Sequence, residues 1–105
     1  MTGHAARAAF LDWLARERRA SPHTIAAYGR DLSDFLGFLT QHLGAAPDLA
    51  ALAGLNAADL RGFLAQRAAA GAGAATRARQ LAAVRGFLRF LARTAGVATL
   101  APGAV

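Results

Sequence analysis

The 105-residue sequence has no cysteine, no lysine, and a single methionine, tryptophan and tyrosine. Without cysteine there are no disulfides and no thiolate metal sites, a composition that suits a reducing compartment. β-Branched residues form almost no runs, whereas alanine and leucine recur throughout, which favours helices over strands. No uncharged stretch is both apolar and long enough to cross a bilayer, so a soluble protein with no membrane partner is expected. The opening "MTGHAARAAFLDWLARERR" is arginine-rich and amphipathic, but Asp12 and Glu17 break a transit-peptide pattern. Carboxylates are scarce: six of them face twelve arginines, giving a formal net charge of +6.

What remains is enough chain for one domain with a single core. Alanine supplies thirty of the apolar residues that make up 55% of the sequence, so Leu, Phe, Ile, Val and Trp13 must do most of the packing. Four helices can be read. The first spans about His4 to Arg19, with Ala6, Phe10, Trp13, Leu14 and the stem of Glu17 on one face. "RASPHT" then interrupts, with Ser21 as N-cap and Pro22 in the first helical position. The second helix runs to about His42; its apolar stripe is Ile25, Tyr28, Leu32, Phe35, Leu36, Leu39 and Leu43, and its other face presents His23, Arg30, Asp34 and Gln41.

Residues 43 to 55 read as a connecting loop with room for one short helical turn. "NAAD" (Asn56 to Asp59) resembles a capping box and opens a third helix to about Ala70, burying Leu60, Phe63 and Leu64. After "GAG" the fourth helix occupies about 74 to 95, with Gly96 beyond its end and Pro102 in an irregular tail. Glycines inside these helices, at 29, 37, 62 and 86, each cost roughly 1 kcal/mol against alanine. The expected architecture is an all-α, compact four-helix orthogonal bundle.

The fourth helix concentrates the charge. "ATRARQLAAVRGFLRFLAR", residues 75 to 93, holds Arg77, Arg79, Arg85, Arg89 and Arg93 and no acid. A GC-rich genome favours arginine and alanine codons together and accounts for the missing lysines. It does not account for five unaccompanied arginines on one helix. At 100° per residue, Leu81, Val84, Leu88, Leu91 and Ala95 share one side, with Phe87 at its edge. Arg79, Arg85, Arg89 and Arg93 fill a separate sector of roughly 120°. Ala82 and Gly86 lie between the arginines, Ala83 and Phe90 flank Arg79, and Arg77 falls on the apolar side but can splay outward from the first turn. Solvated helix faces usually mix signs, because like charges at i,i+4 repel. Arg85, Arg89 and Arg93 stand at successive i+4 steps, so a polyanionic partner is favoured; the planar guanidinium fork suits phosphate.

Catalytic patterns are not found. Tyr28 falls in the apolar stripe, His4, His23 and His42 lack metal-ligand spacing, and there is no P-loop, GxGxxG or Ser/His/Asp arrangement. No catalytic residue, metal or cofactor is expected.

Three stretches, "FLDWLARERRASPHTIAAYGRDLSDFLGFLTQHLG", "LNAADLRGFLAQRAAAG" and "ATRARQLAAVRGFLRFLAR", resemble the N-terminal core-binding domain of Xer-type tyrosine recombinases, particularly the XerC branch. The S-P-H-T-x-x-x-Y-x-x-D-L-x-x-F pattern from Ser21 to Phe35 is the most specific piece. The A-x-R-x-F-x-R-F-L tail, Ala83 to Leu91, supports it. The resemblance implies a SAM-like domain over residues 1–100 that clamps duplex DNA, followed at 101–105 by the start of a linker to a separate catalytic domain. Tyr28 does not correspond to the nucleophile of that second domain. Ser21, His23, Thr24 and Arg30 would face DNA from the second helix, and Arg77, Arg79, Arg85 and Arg89 from the fourth, with Arg93 completing the ridge. It further implies a partner recombinase protomer in a tetrameric synapse, with the first helix free to touch a neighbour, a monomeric isolated domain, and a bacterial cytoplasmic, nucleoid-associated location. Gly73 departs from a frequent serine cap, and Gly29 and Gly86 replace larger residues. Two alternatives stay open: a helical module for an acidic protein partner, and a stand-alone helical DNA-binding protein. The recombinase resemblance predicts a reading frame that continues roughly 180 residues, one further domain, past Val105 and carries a late tyrosine. Sequencing the frame checks this, and a stop after Val105 would rule it out.

Overall fold

Four of the helices begin where a side-chain oxygen can take up a free backbone N–H. The computed structural model describes residues 1–94, which form α1 (Gly3–Arg16), α2 (Pro22–Leu43), α3 (Leu49–Ala53), α4 (Ala57–Ala69) and α5 (Ala74–Thr94). Thr2 accepts from the Ala5 N–H at 3.0 Å, Ser21 from Thr24 at 3.1 Å and Asp48 from Ala51 at 2.9 Å. At α4 the capping box is complete: the Asp59 N–H donates to Asn56 at 3.0 Å, and the Asn56 N–H donates to the Asp59 carboxylate at 2.8 Å. The other Asp59 oxygen lies 2.9 Å from His42 Nε2, which joins the end of α2 to the start of α4.

The chain is all-α, and the expected second, third and fourth helices are α2, α4 and α5. The first ends earlier than expected, at Arg16, so Glu17 caps it in the open instead of lending its stem to the core. The chain leaves α1 through Arg19 in the left-handed region (φ 51°), which few non-glycine residues adopt. The 43–55 connection contains the single turn α3, and Leu43 is exposed at the end of α2 instead of completing the stripe. Ala95, Gly96, Pro102 and the linker expected at 101–105 lie outside the described residues.

α2 packs against α1 and α5, α4 packs on α5, and α1 also meets α5 and α3. Phe10, Phe35, Phe63 and Phe87 are fully buried together with leucines from α2, α3, α4 and α5. Each such side chain contributes roughly 1.5–3 kcal/mol of apolar burial. On α5 the buried arc is turned by roughly 60° toward Arg79 relative to the periodicity reading. Ala83, Phe87 and Phe90 are buried, while Leu81 is only partly so. The reason lies in α1, whose Phe10 ring packs 5.7 Å from Phe87 and 5.5 Å from Phe90 between centroids.

α1 sits close to its neighbours. The Gly3 N–H donates to the Pro47 carbonyl at 2.9 Å, and a Cβ on Gly3 would stand 2.9 Å from that oxygen and 3.0 Å from a Leu36 methyl. Arg7 Nε donates to the Gly29 carbonyl at 2.9 Å, and a Cβ on Gly29 would press on the same guanidinium at 3.2 Å. Gly86 is less constrained, since a Cβ there would meet Phe10 at an ordinary 3.4 Å. Gly37, inside α2, has nothing within 4 Å of the equivalent position. Gly37→Ala is therefore expected to stabilise the fold by roughly 0.5–1 kcal/mol through the unfolded chain's entropy. Gly3→Ala is expected to destabilise it by roughly 1–3 kcal/mol through overpacking against backbone. Urea denaturation of both variants checks the opposite signs.

Candidate nucleic-acid interface

Asp31 is the one buried carboxylate among the described residues, with a side chain only 2% exposed. It lies at the edge of the α2 stripe, one turn from both Tyr28 and Phe35. A buried ion must be paired, and the partner comes from α5: Arg79 Nε donates to one Asp31 oxygen at 2.8 Å and Nη2 to the other at 2.7 Å. These hydrogen bonds from Arg79 to Asp31 hold its guanidinium above its ordinary pKa, against the lowering effect of desolvation. Its outer part remains open, with the side chain 42% exposed.

A groove of about 460 Å³ opens where α1, α2 and α5 meet. α1 contributes Phe10 and Trp13, α2 contributes Thr24 and Tyr28, and α5 contributes Arg89 and Arg93 across the small residues Ala82 and Gly86. Arg18 reaches in from the α1–α2 connection. Among the described residues no carboxylate lines it. Of the five other acids four are occupied: Asp12 pairs with Arg16 at 2.9 Å, Asp34 approaches Arg67 at 3.8 Å, Asp48 caps α3, and Asp59 serves Asn56 and His42, while Glu17 is exposed at the end of α1.

The structure sorts the expected DNA-facing residues into groups. Thr24, Arg89 and Arg93 meet at the groove. Ser21 is exposed and caps α2, its hydroxyl donating to Thr24 Oγ1 at 3.0 Å. His23 and Arg30 are exposed on the side of α2 away from its buried arc and do not line the groove. Arg85 is half-buried on α5, one turn before the exposed Arg89. Arg79 is bound to Asp31. Arg77 does not splay outward; its Nη1 donates back to the Ala72 carbonyl in the α4–α5 turn. Arg93 lies with its guanidinium 5.2 Å from the Trp13 ring centroid. Sequence reasoning passed over Trp13, Arg18 and Asp31 as site residues. Only Asp31 carried a signal, as a carboxylate on an apolar stripe.

Among the described residues no group of three His, Asp or Glu could hold a metal ion, and no helix is long and apolar enough to cross a membrane.

Comparison with known proteins fits this arrangement. Residues 8–95 match the phage integrase N-terminal SAM-like domain. The chain is 54% identical over 89 residues to the tyrosine recombinase XerC of Mesorhizobium japonicum, covering 85% of this chain and 28% of that protein. It thus spans little more than a quarter of the relative it matches. No solved structure matches it significantly.

The Asp31–Arg79 pair makes Arg79 structural as well as basic. Arg79→Ala, which strands a buried carboxylate, is expected to destabilise the fold by about 2 kcal/mol, somewhat below the range for fully buried pairs because Arg79 is part-exposed. Asp31→Leu combined with Arg79→Met should be distinctly milder than Arg79→Ala alone. Thermal unfolding of the single and double variants checks the order.

Proposed function

The chain belongs to the phage integrase N-terminal SAM-like domain family, and from that premise we propose that it is the DNA-binding, core-binding domain of a XerC-like site-specific tyrosine recombinase. Its work is to grip duplex DNA at the recombination site. The observation that carries this is the segregation of charge on α5: Arg89 and Arg93 are exposed, with Arg85 half-buried one turn before them, on a helix without an acid, while Asp12, Asp31, Asp34 and Asp59 are held by other residues. Such a face meets phosphate oxygens along the backbone, giving affinity that is largely independent of sequence. One or two of these guanidinia in the major groove can donate to guanine O6 and N7.

In this reading Ser21 and Thr24 bring the start of α2 to the DNA, His23 and Arg30 extend that contact along the outer side, and the open edge of Arg79 adds a fixed cation. Arg77 contributes through the α4–α5 turn that sets the angle of α5. The chemistry of strand cleavage belongs to a catalytic domain outside these residues, and Tyr28 lines the groove without acting as nucleophile. The whole protein would work with a partner recombinase protomer in a tetrameric synapse, in the bacterial cytoplasm at the nucleoid, in chromosome dimer resolution or a related recombination. The isolated domain holds only half of the clamp and binds weakly.

Titration with duplex DNA at several salt concentrations tests the proposal. The logarithm of the binding constant should fall linearly with the logarithm of salt, and Arg85→Ala and Arg89→Ala should each lower the slope by about one. Absence of duplex binding at low salt, with tight binding of an acidic peptide instead, would sink it in favour of a protein partner.

A further inference from the structure

Two guanidinia lie near one indole ring. The Arg18 Cζ is 5.6 Å and the Arg93 Cζ 5.2 Å from the Trp13 centroid, one arriving from the α1–α2 connection and the other from the end of α5. Arg89, one turn before Arg93, edges the same groove. Like charges gathered this way repel, and the ring's negative face offsets only part of that. Among the described residues, none of the three has a carboxylate partner, and the groove offers none. Among the described residues, the only other polar side chains lining it are Thr24 and Tyr28, both hydroxyls able to donate.

Trp13 is itself well supported. Its ring packs 5.3 Å from Phe90 and 6.1 Å from Phe10, both buried, so its place is set by apolar packing. Arg18 directly precedes Arg19, whose left-handed backbone turns the chain from α1 toward α2. The ring thus holds two flexible side chains from opposite ends of the sequence at one side of the groove.

We infer that Arg18, Arg89 and Arg93, arranged on the Trp13 platform, form a seat for a phosphodiester group of bound nucleic acid, with Trp13 as the positioning residue. The inference rests on the nucleic-acid reading and adds to it a contact from α1 and the connection that follows it, beyond the two helices expected to face DNA. A phosphate oxygen pair suits the guanidinium forks, which donate in parallel. The fixed ring lowers the entropy lost when the two side chains are ordered.

Trp13 is the only tryptophan, so its fluorescence reports on the seat directly. The chain is titrated at low salt with a 20-base-pair duplex and, in a separate arm, with inorganic phosphate. The duplex is expected to change Trp13 emission saturably, and millimolar phosphate only weakly. Arg18→Gln, at an exposed position where folding is not at stake, should abolish most of the emission change and lower the salt slope by about one. Trp13→Leu should weaken duplex binding about five- to twentyfold, and Trp13→Tyr, which keeps a π face, should restore most of it. Circular dichroism of these variants separates misfolding from lost binding. Duplex binding that leaves Trp13 emission and the Arg18→Gln slope unchanged would overturn the seat while leaving the DNA reading intact. A response to phosphate or to a polyglutamate peptide stronger than to duplex would overturn the backbone as its ligand. Complete absence of duplex binding would remove both proposals together.

Discussion

The ring of Phe10 lies between α1 and α5, stacked with Trp13 and tilted against Phe87 and Phe90, and its depth there depends on how closely α1 can approach. That approach is set at two points by missing side chains. At Gly3 the helix start touches the Pro47 carbonyl and a Leu36 methyl, and at Gly29 the α2 backbone receives the Arg7 guanidinium. Were α1 held further off, Phe10 would lift from α5 and Trp13 with it, and the groove beside α2 would lose the wall on which two of its arginines rest. The basic face is therefore a product of apolar packing before it is a product of charge.

Charge is then distributed by a simple economy of partners. The chain has twice as many arginines as carboxylates, and the carboxylates are nearly all engaged on α1, α2 and α4 or at helix starts. The excess collects on α5 and at the end of α1. Arg79 shows that position on a basic helix does not decide a role. It stands in line with the outward arginines yet is fixed by two hydrogen bonds to a buried acid. A substitution there perturbs folding and binding at once, whereas the exposed Arg89 is better placed to separate the two.

Local features were legible from sequence, and tertiary ones were not. Ser21 with Pro22, and Asn56 with Asp59, announce their helices because a cap is satisfied within four residues of itself. The starts of α2 and α4 follow for the same reason, while α5 is marked instead by Gly71 and Gly73 just before it. On α5, Val84, Leu88 and Leu91 are buried as the periodicity predicts, but Phe10 of a distant helix extends the buried arc over Ala83, Phe87 and Phe90 and leaves Leu81 only partly covered. Of the basic sector, Arg89 and Arg93 are exposed, whereas Arg85 is half-buried. What could not be read was that Arg79 would turn to Asp31, that Arg77 would turn back to Ala72, or that Arg18 would join Arg93 over Trp13. Each of these depends on where a second helix lies. Asp31 was the nearest to a signal, since a carboxylate among apolar neighbours asks for a cation without naming it.

That request has a consequence for how the molecule comes together. Asp31 and Arg79 are 48 residues apart in sequence, and the aspartate can leave water at low cost only once α5 has docked. A chain with α1 to α4 assembled and α5 still loose would hold an unpaired ion at the seam where α5 belongs. Such a half-built form is disfavoured from within, so α2 and α5 are expected to open and close as one cooperative unit.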